Sequence, residues 1–472
     1  MRLTFFGASR QVTGSMYLLE LEDGYRILID CGFDLENGRR LEPDGKSIFP
    51  FDPTTLNAVV LTHAHVDHSG NIPNLFKNGY EGQVISTLPT YYLSALLLRD
   101  SAHLNEKRIN TRGHKRGGRK LNVKQLVEQT EFYFEGHVTE ALEKFFPIGY
   151  QRRFKLRPGV HLTLVQAGHL LGAAHVVFEI EEGGETKKIG FSGDVGRYNY
   201  PMLPDPVSLP QLDYLVSEST YGGRLHQEQR KPDEVLLDII DRACVQKTGG
   251  KLLIPAFSVG RTQALLYELH KLSIAGKLPP IPIYVDSPMA IESIQIYQEM
   301  VKYANNEARA LAAEEEDLFS FDQLEYVKRM GDSKALSNNY ESCIIISASG
   351  MLDGGRIQTH LKTQLQNPNA TVFFIGFVAE GTMGRSLLDG ARAVTIDGRR
   401  VEVRATLEYS DVFSGHADED GLVRFAKSQD PSKLKTLFLT HGDFVSMQAL
   451  QSRLQDEGFY VELPYKAQFF DL

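Results

Sequence analysis

A run of six residues directly after a short strand constrains this chain more than any other feature of its sequence. The run is His63-Ala64-His65-Val66-Asp67-His68, and the preceding residues 58–62 are the mostly apolar, β-branched kind typical of a buried strand. Imidazole and carboxylate are the ligands that zinc prefers, and a tight turn can direct them at two neighbouring ions. The alternative is an ordinary polar turn after a strand.

Three other candidate ligands share one local pattern, in which an apolar strand is followed by the candidate residue with a glycine beside it. They are His169, Asp194 and His441. Strand ends hold side chains rigidly, and glycine lets the backbone bend close to an ion. Each residue alone is more typical of an ordinary loop. Together with the run at 63–68, they indicate a metal site.

This set of residues resembles the ligand set of the metallo-β-lactamase superfamily. The resemblance implies an α/β fold, a four-layer αβ/βα sandwich with a metal site along one edge of its two sheets. It also implies two zinc ions, which manganese could replace. The ligands of the first ion would be His63, His65 and His169. Those of the second would be Asp67, His68 and His441. Asp194 would bridge the ions. Asp30 would not bind an ion itself but would orient one of the ligand side chains.

Three further motifs resemble those of the β-CASP nucleases within that superfamily. They are motif A at 217–222 with Glu218, motif B at 413–418 with His416, and motif C at 439–443 with His441. In that family a histidine in motif C marks the branch that acts on RNA. The sequence looks most similar to the nuclease subunit of the cleavage and polyadenylation machinery and its compact prokaryotic relatives. The resemblance covers nearly the whole chain.

The order of strand-like and helix-like segments predicts two α/β modules, one inserted into the other. At about 150 residues per domain, a chain of 472 residues has room for two or three domains. We predict a metallo-β-lactamase domain over 1–208 that is completed over 391–472. Residues 209–390 are predicted to form an inserted β-CASP domain with a mostly parallel sheet.

The resemblance implies a zinc-dependent ribonuclease that hydrolyses phosphodiester bonds of single-stranded RNA. Two cations about 3.5–4 Å apart can generate a hydroxide and neutralise a phosphate oxygen. The predicted catalytic residues are Asp67, His416 and Glu218. His416 would act as general acid or stabilise the phosphate, with Glu218 orienting it. The alternative for His416 is a histidine that caps a helix.

The sequence also contains candidate contacts to RNA phosphates. A loop of small residues at 347–350 can present backbone N–H groups, and an arginine can bind phosphate in a bidentate manner. The segment from 107 to 120 contains seven basic residues and no acidic ones. The predicted contacts are Ser347, Ser349, Gly350, Arg385, Lys115 and Arg116. The alternatives are plain strand-to-helix turns and an ordinary solvated loop.

Composition limits the remaining classes of function. With 51 basic and 60 acidic residues the net charge is −9, which disfavours a sequence-specific binder of duplex DNA. The three cysteines are far apart, so the sequence predicts neither a disulfide framework nor a cysteine zinc site. Because no run of about 18 apolar residues is present, we expect no membrane span and a cytoplasmic protein.

Other functions are compatible with parts of this sequence. An acyl or thioester hydrolase of the same superfamily would use the same ligands, but the inserted module disfavours it. The complete ligand set disfavours a catalytically inactive subunit, and His441 disfavours a DNA-repair nuclease. Several properties stay open: endonuclease or 5′→3′ exonuclease action, the physiological RNA, partner proteins, and a monomeric or homodimeric state.

Overall fold

The computed structural model describes residues 1–34, 48–115 and 132–472. Within these ranges the chain divides into two compact units. The first consists of Met1–Tyr198, Asp205–Leu225 and His416–Leu472, and the second of Asn199–Pro204 and His226–Gly415. In the order of the chain, the second unit therefore interrupts the first.

The first unit contains two mixed sheets, each with seven strands in the described part of the chain. The first sheet has the order Gln468–Asp471, Arg2–Phe5, Tyr17–Glu20, Arg26–Ile29, Ala58–Val60, Gln83–Ser86 and Phe145–Pro147. The second has the order Val461–Glu462, Thr436–Thr440, Tyr214–Glu218, Glu185–Phe191, Ala174–Glu182, Val160–Gln166 and Phe154–Arg157. Each sheet is antiparallel toward one edge and parallel toward the other.

The two sheets pack face to face, with helices on both outer faces. Phe5, Val60 and Phe191 are among the buried side chains of the central core, to which both sheets contribute. The outer faces form separate apolar clusters with helices such as Ile72–Lys77 and Phe444–Asp456. The other helices among the described residues of this unit are Val66–Ser69, Leu88–Lys115, Glu135–Glu143, Glu419–Ala426 and the short 3₁₀ helix Pro53–Thr55. This arrangement confirms the predicted four-layer α/β sandwich.

The second unit is built on a parallel sheet with six strands among the described residues. Its order is Leu324–Tyr326, Ile283–Asp286, Cys343–Ser347, Lys251–Pro255, Ala370–Phe374 and Thr406–Tyr409. All neighbouring strands run parallel, and the central strand at 343–347 is buried along its whole length because helices cover both faces. The mostly parallel sheet predicted for the inserted module is confirmed.

Helices connect these strands, as parallel pairing requires. They are Pro232–Ile240 with its π-helical continuation Asp241–Val245, Arg261–Ile274, Pro288–Glu299, the 3₁₀ helix Val301–Tyr303, Asn306–Glu314, Met330–Ser337, Ile357–Gln364 and Met383–Leu388. A separate antiparallel pair is formed by Ala393–Ile396 and Arg399–Glu402. Across the ranges that the structure describes, no helix is long and apolar enough to span a membrane.

The limits of the two units differ from the predicted boundaries at 209 and 391. The strand Tyr214–Glu218 pairs with Glu185–Phe191 and Thr436–Thr440, which places it in the first unit. The strand Thr406–Tyr409 pairs with Ala370–Phe374 and belongs to the second unit. Pairing between strands that are distant in sequence therefore moves the main limits to 226 and 415.

Candidate metal centre

The residues at 63–68 leave the strand Ala58–Val60 and turn at once into the short helix Val66–Ser69. This turn brings His63 and His65 to one group of polar side chains and His68 to another. Backbone hydrogen bonds fix the turn on the sheet, since Leu61 N donates to Ile85 O and Ala174 N donates to Thr62 O, both at 2.9 Å. The chain thus folds the run as the sequence predicts, at the end of a buried strand.

The first group consists of His63, His65, His169 and Asp194, whose ligand atoms all lie within 4.8 Å of one another. His65 Nδ1 lies 3.1 Å from His63 Nε2 and 3.2 Å from His169 Nε2. Asp194 Oδ2 lies 3.5 Å from His63 Nε2 and 3.4 Å from His169 Nε2. Three imidazole nitrogens and one carboxylate oxygen therefore converge on one point.

The second group consists of Asp67, His68 and His441, again with ligand atoms within 4.8 Å of one another. His68 Nε2 lies 3.2 Å from His441 Nε2, which in turn lies 3.5 Å from Asp67 Oδ2. The second oxygen of Asp194, Oδ1, lies 3.3 Å from His68 Nε2. Asp194 therefore directs one oxygen at each group, as its predicted bridging position requires.

A third group combines Asp194, Glu218 and His416. In this group hydrogen bonds already engage the carboxylate of Glu218. Glu218 Oε1 accepts from Val195 N at 2.6 Å and lies 3.2 Å from His416 Nδ1. Glu218 Oε2 accepts from Thr220 N at 3.3 Å. The predicted pair of Glu218 and His416 is thus brought together as a hydrogen-bonded pair beside Asp194.

The donor set of the first two groups fits a metal ion. Asp194 Oδ1 is buried, and no hydrogen bond is donated to it. Buried polar atoms without partners are costly, and imidazole nitrogens that face each other cannot all be satisfied by sharing protons. A divalent cation with affinity for imidazole and carboxylate satisfies all of these atoms together. The cluster therefore indicates that the protein depends on a metal.

The protonation of the first group suits metal binding. Burial lowers the pKa of His63 well below its ordinary value and that of His65 to about 4, so both rings are neutral near pH 7. Burial alone would raise the pKa of Asp194, but neighbouring histidines, with His441 and His68 first, outweigh it and hold the pKa well below the ordinary range. A neutral imidazole beside an ionised carboxylate is the form in which both residues bind metals.

The second group has one ring that holds its proton more strongly. Burial favours the neutral ring of His68, but Asp194 and Asp30 outweigh burial and raise its pKa well above the ordinary value. Nδ1 of that ring lies 2.7 Å from Asp30 Oδ2, which leaves Nε2 directed toward His441. Asp30 itself is fixed because its Oδ1 accepts from Thr62 N at 2.8 Å. This is the position that its predicted orienting role requires.

His416 differs from the ligand histidines in its charge. Burial alone would lower the pKa of His416, but the carboxylate of Glu218, together with Asp194 and Asp67, raises it to about 9. The ring is therefore protonated near pH 7. A cationic imidazole held beside Asp194 is suited to stabilising an anion or donating a proton.

Two hydroxyl groups that hold the ligands were not among the predicted site residues. Thr220 Oγ1 lies 3.0 Å from His441 Nδ1, and Thr62 Oγ1 lies 3.2 Å from His63 Nδ1. Both have a signal in the sequence, because Thr62 directly precedes the run at 63–68 and Thr220 lies within motif A. Hydroxyls next to ligand histidines fix the orientation of the ring.

Two of the candidate phosphate contacts, Ser347 and Arg385, are already engaged with other groups of the chain. Ser347 is buried, and its hydroxyl donates to Asp286 O at 2.8 Å. Arg385 Nε already pairs with the carboxylate of Asp389 at 2.9 Å. Ser349 and Gly350 lie in the turn after the strand Cys343–Ser347, as predicted. Arg116 and the side chain of Lys115 lie outside the described residues. The phosphate contacts at all six positions stay predictions.

Three family profiles match successive parts of the chain. The profile of the metallo-beta-lactamase superfamily matches residues 10–237, and that of the Beta-Casp domain matches residues 262–387. The profile described as the Zn-dependent metallo-hydrolase RNA specificity domain matches residues 400–464, which include motifs B and C.

Known proteins are similar to this chain over most of its length. Ribonuclease TTHA0252 of Thermus thermophilus is 35% identical over 465 residues, which cover 98% of both chains. Transcription termination factor FttA of Methanosarcina mazei is 31% identical over 94% of this chain and 67% of its own length. An RNase J-like protein of Methanocaldococcus jannaschii is 29% identical over 93% of this chain and 92% of its own length.

The fold, the metal centre and these similarities agree. This chain belongs to the β-CASP ribonuclease family of metal-dependent hydrolases, within the metallo-β-lactamase superfamily. The predicted family membership is confirmed, and so is the predicted class of enzyme.

Proposed function

We propose that this protein is a two-zinc ribonuclease that hydrolyses phosphodiester bonds of single-stranded RNA. The observation that carries the proposal is the pair of ligand groups that share Asp194, with one carboxylate oxygen directed at each group. The names of the ribonuclease relatives and the RNA specificity profile support RNA as the substrate. Manganese can occupy the same nitrogen and oxygen ligands.

His63, His65 and His169 of the first group would hold one ion. Asp67, His68 and His441 of the second group would hold the other. When bound, two such ions would make a nucleophile available from water near neutral pH and neutralise charge on the phosphate. The residues of the chain fix where this happens. Asp30 and Thr220 hold the rings of His68 and His441 in place, so that little reorganisation is needed when the substrate binds.

We assign to His416 the role of donating a proton to the leaving oxygen. Two backbone N–H groups hold Glu218, which keeps its carboxylate beside His416 Nδ1. The carboxylate of Glu218 favours the protonated form of this ring, which would donate a proton or stabilise the leaving alkoxide. Glu218 acts through His416 and is a positioning residue in this account.

The test is a time course on single-stranded RNA labelled at one end, with wild type and His441→Ala compared in parallel. His103→Ala is the matched control, because His103 is exposed on the helix Leu88–Lys115. We expect cleavage by wild type and the control and a loss of cleavage in His441→Ala. The ladder of products separates internal cleavage from stepwise removal of nucleotides.

A thioester substrate in the same assay tests the competing acyl hydrolase. Thioester hydrolysis without RNA cleavage, by protein that contains the metal, would contradict the proposal. Absence of both activities in protein that contains the metal would instead favour an inactive subunit.

A further inference from the structure

The first unit carries an exposed aromatic surface where the helix Phe444–Asp456 begins, directly after motif C. The exposed fractions are 39% for Phe444, 74% for Val445 and 55% for Tyr465. The guanidinium carbon of Arg10 lies 4.6 Å from the ring centre of Phe444 and 5.9 Å from that of Tyr465. We refer to Arg10, Phe444 and Tyr465 as the Arg10 platform.

Arg10 pairs with no carboxylate among the described residues. Among the described residues its side chain donates one hydrogen bond, from Nη2 to Leu463 O at 3.1 Å, and its remaining N–H groups are available for an anion. Arg2 provides a contrast in the same unit. It also lies over a ring, 4.2 Å from the centre of Phe469, but it donates to Asp471 at 2.8 Å. The guanidinium of Arg2 is therefore paired with a carboxylate, whereas that of Arg10 has no carboxylate partner among the described residues.

The platform is continuous with the metal centre through the backbone. His441 N donates to Ala8 O at 2.7 Å, and Gly442 N donates to Gln11 O at 3.2 Å. Arg10 lies between these two acceptors, in the loop that holds motif C. Phe444 follows His441 by three residues in the sequence. Backbone hydrogen bonds on either side of Arg10, and a step of three residues to Phe444, therefore connect the platform to the ligand His441.

We propose that the Arg10 platform binds the RNA strand as it leaves the metal centre. This inference rests on the proposed function and adds the surface on which the substrate lies. Exposed aromatic rings and guanidinium planes stack on bases without regard to sequence, and unpaired N–H groups of arginine bind phosphate. The unpaired cation and the continuity with motif C favour RNA over a protein partner, for which an apolar surface alone would suffice.

The test measures binding of an unstructured RNA of about 12 nucleotides by fluorescence anisotropy. All proteins carry His416→Ala and are loaded with zinc, so that cleavage does not disturb the measurement. Tyr465→Ala and Arg10→Gln are each expected to weaken binding by about tenfold. Tyr465→Phe retains the ring and is expected to bind like its parent, which separates loss of stacking from damage to the fold.

Salt dependence separates the two contributions. Arg10→Gln removes one phosphate contact, so the slope of log K against log salt falls by about 0.7, whereas Tyr465→Ala leaves the slope unchanged. The matched controls are Arg453→Gln, in the last turn of the same helix, and Tyr460→Ala, which removes a ring of similar exposure elsewhere in the unit. Both controls are expected to bind like the parent.

The outcomes separate failure of the platform proposal from failure of the proposed ribonuclease activity. If wild type does not cleave RNA but the platform variants lose binding, the platform stands and the proposed activity is wrong. If the platform variants bind like the parent, the platform is wrong even if wild type cleaves RNA. Light scattering tests whether this surface is instead a contact between copies of the chain. A change of molar mass in Tyr465→Ala with unchanged RNA binding would make this surface a contact between copies and overturn the proposal.

Discussion

Each unit buries a cluster that combines aspartate with histidine, and the two clusters differ in how their polar atoms are satisfied. In the first unit, imidazole nitrogens face one another across 3.1–3.2 Å, and one oxygen of Asp194 accepts no hydrogen bond. In the second unit, Asp286 and His360 lie in a closed network. Residue type and burial are the same in both places, so neither property alone defines a ligand.

The network around Asp286 gives each of its oxygens a donor. Oδ2 accepts from Ser333 Oγ at 2.5 Å and lies 2.7 Å from His360 Nε2, and Oδ1 accepts from Arg356 Nη1 at 2.7 Å. His360 Nδ1 lies 2.8 Å from Ser337 Oγ. Burial alone would raise the pKa of Asp286, but the bonds from His360, Ser333 and Arg356 lower it. The network is complete without an ion.

This contrast shows what makes a buried cluster a candidate metal centre. The cluster in the first unit has more acceptors than its protons can satisfy, and a cation supplies the missing charge. The cluster in the second unit balances one carboxylate against an arginine, a histidine and a hydroxyl. We therefore expect the first cluster to govern metal content and activity, and the second to govern stability.

The largest effect is expected when the shared carboxylate of the first cluster is removed. Asp194→Asn takes away a ligand oxygen from both groups, so metal content falls and RNA cleavage slows by about 10³-fold or more. Elemental analysis and single-turnover cleavage measure the two effects. The matched control is Asp286→Asn, the same change in the second cluster, which leaves the metal content intact. Full metal content and activity in Asp194→Asn would contradict the assignment.

The second cluster is expected to affect stability instead. Asp286→Ala leaves His360 and Arg356 without their carboxylate, so the free energy of unfolding falls by about 3–5 kcal/mol. Denaturant unfolding followed by circular dichroism shows this as a lower midpoint. Elemental analysis of the folded variant should give the metal content of wild type. A loss of metal together with unchanged stability would show that the two clusters do not differ as described.

The pair of His416 and Glu218 combines features of both clusters, because it is hydrogen-bonded and yet lies beside Asp194. His416→Ala is expected to slow cleavage by about 10²-fold or more while the metal content stays unchanged. Glu218→Gln should lower the rate less and shift its pH profile, since it acts only through His416. A rate within a few-fold of wild type in His416→Ala would remove this residue from the mechanism.

The smallest effect is expected at Asp30, which contacts His68 of the first cluster but is not one of the proposed metal ligands. Asp30→Asn weakens the bond to His68 Nδ1, so metal affinity falls by about 10–100-fold. Competition with a chromogenic chelator measures this change directly. Activity at saturating metal should recover toward that of wild type. A variant that keeps the affinity of wild type would show that Thr62 alone suffices to hold the ring.

The sequence predicts the first cluster well because most of its information is local. The run at 63–68 places four ligand-type side chains on one turn, and His169, Asp194 and His441 each follow a recognisable strand. The bridging position of Asp194 was predicted only through the resemblance to a known family, because no local pattern shows that its two oxygens face different groups. That arrangement depends on how the two sheets of the first unit lie against each other.

The second cluster is not predictable from the same kind of reasoning. Asp286 ends a strand, whereas Ser333 and His360 lie on two separate helices, and no local pattern connects them. The limits of the two compact units differ from the predicted boundaries for the same reason. A proline-rich stretch at 200–206 looks like a boundary, but the strand Tyr214–Glu218 returns to the first unit by pairing with Thr436–Thr440.

The most direct test of the central claim is the metal content of purified wild type, Asp194→Asn and Asp286→Asn, measured by elemental mass spectrometry on folded protein. We expect two zinc or manganese ions per chain in wild type and in Asp286→Asn. We expect a clear deficit in Asp194→Asn. Equal metal content in all three proteins, or a deficit in Asp286→Asn alone, would contradict the claim that the first cluster is the metal centre.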